Sequence, residues 1–173
     1  MFRCCGYRLF YVLLTLLLSG SAYATEKQLE IAEAIWTDGV DQDKQPQQVY
    51  EQRASEPPLV LWMRLRGSST TLETLRDTGK MPIRHKWFHL GFSQIAAEGV
   101  QTPVDTITLN LGNAALLDKL GLEIEERGFF DWRTWSRKRN IRPGWWQVKV
   151  VYADNTPVLC EQDKPCEYYI EVD

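Results

Sequence analysis

The stretch WWQVKVVYA (145–153) constrains the fold more than any other part of the chain. Trp146, Val148, Val150 and Tyr152 alternate with Trp145, Gln147, Lys149 and Val151. A period of two becomes a single apolar face only on an extended strand. Pro143-Gly144 supplies a turn before it, and Asp154-Asn155-Thr156 a turn after it. PVLC (157–160) and CEYYIEV (166–172) then resume extended character, so the last third predicts an antiparallel hairpin. Trp146 shares the unbroken apolar stripe and is expected in the core, whereas Trp145 shares its face with Gln147 and Lys149 and is expected to be partly exposed.

Upstream, LVLWMRLRG (59–67) sets Leu61, Met63 and Leu65 against Val60, Trp62, Arg64 and Arg66. IRHKWFHLG (83–91) reads as a second strand, ended by Gly91, and DTITLNL (105–111) alternates again. LEIAEAIWTDGV (29–40) suits helix and strand alike, because its alanines and glutamates oppose Ile31, Ile35 and Trp36. Segments 41–58 and 68–82 read as connections. NAALLDKLG (113–121) predicts one or two helical turns, with Asn113 as cap and Gly121 as stop, and LEIEE (122–126) a further strand. Many strands and few helices predict a mainly β fold: a small antiparallel, immunoglobulin-like β-sandwich with a short inserted helix.

The N-terminus predicts the address. Arg3 and Arg8 precede the apolar run Leu9–Leu18, which is half the roughly 20 residues of a membrane span, and SGSAYA (19–24) offers a small-x-small cleavage pattern at Ala22 and Ala24. Residues 1–24 therefore read as a signal peptide, with 25–173 as one periplasmic or secreted domain, Thr25 first and no transmembrane segment after cleavage. Processing would remove two arginines and no acid, taking the formal charge from −3 to −5. So acidic a chain is a poor nucleic-acid binder. Cys160 and Cys166 remain, framing a polar loop (160–166), and in an oxidising compartment they are expected to form a disulfide.

A family resemblance emerges from the order of these segments. W-T-x-G-V is followed by Pro46, L-V-L-W-M-R-L-R-G, then His85-Lys86-Trp87, and last Trp135-Ser136-Arg137-Lys138 with Pro143-Gly144-Trp145-Trp146. The pattern, over 31–159, resembles the bacterial domain of unknown function 2914, with 92–128 as an insertion and the 160–166 loop as an addition. The resemblance implies a β-rich domain and supplies no catalytic residues.

Among possible sites, WRTWSRKRNIRPGWW (132–146) has the most chemical character. Arginines stack on indoles and fork onto carboxylates or phosphates. Trp135, Arg137, Lys138, Arg139, Arg142 and Trp145 are therefore candidates for binding an anionic glycan, a lipid phosphate or an acidic peptide. The alternative is a structural corner, with Trp132 and Trp146 in the core and Arg137, Lys138, Arg139 and Arg142 in water. His85 and His89, about 13 Å apart on a strand, are too distant to share a metal. No metal and no cofactor are expected. G-x-S-x-G, H-E-x-x-H and a phosphate-cradling glycine loop are all missing from the sequence. The expected function is an exported, non-catalytic binding or envelope-accessory module, partnered by an envelope protein or an anionic glycan or lipid. A small periplasmic hydrolase acting on envelope polymers is the alternative.

Overall fold

The computed structural model describes residues 29–55, 57–78, 82–95, 101–110, 114–160 and 163–173. The expected signal peptide and the Asn113 cap lie outside them. Two sheets face each other. The first is built from β1 (Leu29–Thr37), β2 (Val49–Tyr50), β4 (Leu59–Gly67) and β7 (Phe130–Lys138), in the order β2-β1-β4-β7. The second holds β3 (Arg53–Ala54), β5 (Pro82–Gly91), β6 (Asp105–Asn110), β8 (Gly144–Tyr152) and β9 (Glu167–Val172), in the order β3-β9-β8-β5-β6. All pairings are antiparallel except β3 with β9. The mainly β sandwich expected from the alternating runs is what forms, and the 29–40 segment resolves as strand over 29–37.

The core fills the space between the inner faces. Leu61, Met63 and Leu65 of β4 face it from one sheet, and Trp87, Trp146, Val148 and Val150 from the other. Trp36, Trp87 and Trp146 pack edge to face in series, at centroid distances of 5.7 and 6.4 Å. Such pairs add to what area burial alone contributes. Trp146 is 1 % exposed, as its stripe predicts, and Trp145 is half-buried on the opposite face.

The 132–146 stretch crosses from one sheet to the other. β7 belongs to the first sheet and β8 to the second, so residues 139–143 form the corner. Gly144 begins β8 at φ 115°, and a Cβ there would collide with the Gly91 carbonyl, so this corner requires glycine. Cys160 and Cys166 form a disulfide with Cα atoms 5.1 Å apart, closing a tight turn beyond β8.

Three expectations are corrected. Residues 41–58, read as a connection, carry the short strands β2 and β3, which pair with β1 and β9. Residues 69–78, read as a connection, form helix α1 (Ser69–Thr78). Its start is capped reciprocally: the Thr71 N–H donates to Ser68 Oγ and the Ser68 N–H to Thr71 Oγ1, both at 3.3 Å. Leu72 and Leu75 then enter the core. The short helix and following strand of 113–126 are one helix, α2 (Ala114–Arg127). Gly121 does not stop it. It sits where α2 meets α1, and a Cβ there would lie 2.9 Å from the Arg76 guanidinium. The stop is Gly128, at φ 79°, whose N–H donates to the Ile124 carbonyl at 2.7 Å. Among the described residues, no helix is long and apolar enough to cross a membrane.

Candidate functional site

On the outer face of the first sheet, alternation along β4 and β7 places Arg64 directly opposite Arg133. Like charges so paired repel unless something compensates them. Arg64 is compensated: its Nε donates to Glu33 at 3.2 Å, and Nη1 lies 3.7 Å from Asp131. Arg133 is held differently. Its Nη1 donates to the Asp43 carbonyl at 3.3 Å. With the Gln45 amide oriented to satisfy its hydrogen bonds, Gln45 Oε1 accepts from both terminal nitrogens, at 2.8 and 3.1 Å. All of these acceptors are neutral.

Those acceptors come from the 38–48 loop, which folds over the sheet. Its own turn is closed by Asp41 N–H to Gln45 O (2.9 Å) and Gln47 N–H to Gly39 O (3.0 Å). Lys44 adopts φ 60° at the tip, and its carbonyl accepts from Trp62 Nε1 at 2.9 Å. Trp62 faces outward by its strand position yet is only 2 % exposed, on the face this loop covers.

The remaining wall is α2. Leu116, Leu120, Glu123 and Arg127 recur at helical spacing and present one face to the sheet edge. Leu116 and Leu120 line the same cleft as Trp132, which packs partly buried against the core. Glu123 accepts from Arg127 at 2.7 Å and from the Asp131 N–H at 3.1 Å. Asp131 lies within 3.4–3.7 Å of Arg64, Arg66 and Arg127. Both carboxylates are thus taken up by arginines.

Between loop, sheet and helix lies a cleft of about 250 Å³. Five cationic side chains line it (Lys44, Arg64, Lys119, Arg127, Arg133) against two anionic ones, Glu123 and Asp131. A lining with three surplus positive charges, on a chain whose net charge is −3, concentrates positive potential in one place. An oxyanion entering here would replace the neutral acceptors of Arg133 with a charge-assisted, two-pronged bond, roughly twice as strong as a neutral one.

The six candidates in 132–146 are not gathered into one site. Trp135 and Arg137 lie on the outer face of β7, with Trp135 paired to Trp62. Arg139 and Arg142 are exposed in the corner. Trp145 is on the outer face of the other sheet. Lys138 departs from the expectation of a solvated turn. It shares the inward register of Ser136 and Thr134, where edge strands β6 and β7 meet. There its Nζ lies 2.6 Å from Asp105, and its side chain is only 15 % exposed. That bond holds the Asp105 carboxyl below the usual range. Within the stretch, the residues that line the cleft are Trp132 and Arg133, and their partners come from distant segments.

A second polar cluster lies in the core. His85 Nδ1 is 2.7 Å from Ser136 Oγ, which also accepts from Trp87 Nε1 at 3.1 Å. Burial pushes His85 down to about 3, leaving the imidazole neutral at pH 7. A serine–histidine pair can activate a nucleophile only where substrate reaches it, and both side chains here are buried. The pair instead ties β5 to β7 across the sandwich. His89 is occupied separately, its Nε2 3.0 Å from the Pro143 carbonyl.

No curated protein and no solved structure matches the chain significantly. A family model described as Protein of unknown function (DUF2914) matches residues 80–159. The match runs from β5 through β8 and takes in α2 and the 92–128 segment, whereas 31–79 and the 160–166 disulfide loop lie outside it. Over residues 80–159, the chain is similar to the DUF2914 family.

Proposed function

We propose that this protein is a non-catalytic binding module, whose cleft between α2, the 38–48 loop and the β4–β7 face receives an anionic group. One observation carries the proposal. Arg133 is oriented by neutral acceptors alone, opposite Arg64 and in a cleft also lined by Lys44, with no carboxylate of its own among the described residues. Arg137, four residues along the same face of β7, extends the positive field toward Arg139 and Arg142 in the corner. The hydrolase alternative needs a carboxylate free to act, and Glu123 and Asp131 are each engaged by arginine.

An accessory role in the cell envelope fits the charged, apolar and small-residue pattern of 1–24 and the Cys160–Cys166 disulfide. N-terminal sequencing of the protein from envelope extracts should begin at or near Thr25. A chain that keeps residues 1–24 in the inner membrane would contradict export.

The binding reading is tested with peptidoglycan, anionic glycans and phosphoesters, each assayed for binding and for turnover. Salt-sensitive binding to an anionic member, lost in Arg133→Gln and without turnover, is expected. Turnover abolished by Glu123→Gln or Asp131→Asn would replace binding with hydrolysis. Binding to none of them at low salt would end the proposal.

A further inference from the structure

We infer that the ligand of this cleft is a phosphate monoester carried on an apolar body; the inference rests on the anion-binding reading above. The charge pattern discriminates among anions. Asp131 is matched by three guanidinium groups and Glu123 by Arg127, so the acids of the cleft leave no free negative charge. Arg133 and Lys44 have no acidic partner among the described residues, and Lys119 reaches Glu123 only at 4.0 Å. Two to three positive charges remain uncompensated.

A carboxylate or a phosphodiester brings one negative charge and would leave at least one cation unmatched. A phosphate monoester brings about −1.5 to −2 at pH 7, with three acceptor oxygens. It can take the planar fork of Arg133 and the point charge of Lys44 together. Size and polarity agree with one compact unit. The cleft, at about 250 Å³, is smaller than the roughly 300–1,000 Å³ of sites for drug-sized molecules. Beside the cations, Leu116, Leu120 and Trp132 offer an apolar wall for whatever carries the phosphate.

The test is calorimetric titration of the purified protein at low salt with phenyl phosphate, inorganic phosphate, diphenyl phosphate and phenylacetate. Phenyl phosphate should bind at least tenfold tighter than either monoanion, and tighter than inorganic phosphate. Arg133→Gln should weaken it tenfold or more. Arg133 also holds the 38–48 loop, so Lys44→Gln is the cleaner variant, because its ammonium has no partner among the described residues. It should weaken phenyl phosphate severalfold at an unchanged Tm. Vesicles then separate two sources of the same group. Retention on phosphatidic acid but not on phosphatidylglycerol points to a lipid headgroup, and binding of phenyl phosphate without retention to a soluble phosphoester. If phenylacetate or diphenyl phosphate binds as tightly and depends equally on Arg133 and Lys44, the monoester class is wrong and the anion site stands. If none of the four binds, both fall.

Discussion

Truncating Trp146 to alanine should remove a large part of the stability of this domain. The indole is 1 % exposed and packs edge to face on Trp87, and its Nε1 donates to the Arg142 carbonyl at 2.9 Å. Losing a buried aromatic of this size costs about 3–5 kcal/mol, through lost transfer energy and the cavity left behind. The lost edge-to-face pair adds about 0.5–1.5 kcal/mol. The freed carbonyl adds little, because Arg142 is exposed and water can reach it. The upper half of the range is therefore expected. That is a large share of the roughly 5–15 kcal/mol that holds a typical domain folded. Trp145→Ala is the internal control. Trp145 neighbours Trp146 in sequence but is half-buried on the outer face, so about 1 kcal/mol is expected. Urea unfolding at pH 7, followed by far-UV circular dichroism, reads both variants against the parent at equal slope. A loss below about 1.5 kcal/mol for Trp146→Ala, or an equal loss for Trp145→Ala, would refute the assignment of faces.

Acid should expose the buried imidazole. With the folded value of His85 near 3, the unfolded chain takes up this proton from about pH 6.5 downward while the folded chain does not. Its contribution is full above pH 6.5 and is lost as pH falls toward 3, at up to about 1.4 kcal/mol per pH unit. The stability difference between the parent and His85→Gln should therefore shrink from pH 6.5 to 4, and a constant difference would show that the imidazole is not held neutral. Replacing Cys160 and Cys166 together by serine should cost roughly 2–2.5 kcal/mol and leave the fold intact, because the loop is short. Intact mass with and without reductant confirms the bond, and loss of the cooperative urea transition in the double variant would contradict its peripheral role. Lys138→Ala should cost about 1 kcal/mol and Arg137→Ala under about 0.5, since only Lys138 is bonded across the sheet edges. Equal costs would argue against that clamp.

The strands were legible where side chains alternate cleanly. 59–67 became β4 with no change of boundary, and 83–91 and 145–153 shifted by a residue at most. β1 was ambiguous because Ala32, Ala34 and the glutamates favour helix, and only pairing with β4 decides the matter. α1 was hidden because SSTTLETLRDT is rich in threonine, a weak helix former, and its cap is a serine–threonine pair rather than one with glutamate. α2 was cut short because a glycine in a helical run resembles a stop. Gly121 answers instead to the closeness of α1, a tertiary fact. The cleft was least legible. Alternation predicted that Arg133 shares a face with Trp135 and Arg137, but nothing local says that Arg64 lies opposite it or that Lys44 folds over from the 38–48 loop. The density of arginine drew attention to the corner, while the surplus charge of the cleft is assembled from four separate segments.

Amide shift mapping by nuclear magnetic resonance, during titration with phosphate at low salt, tests the anion site most directly. The cleft predicts that the largest shifts fall on residues 43–45, 64, 116–123 and 131–133, and fade as salt is added. Shifts centred instead on the corner at Arg137–Arg142, or spread thinly over every exposed cation, would contradict it.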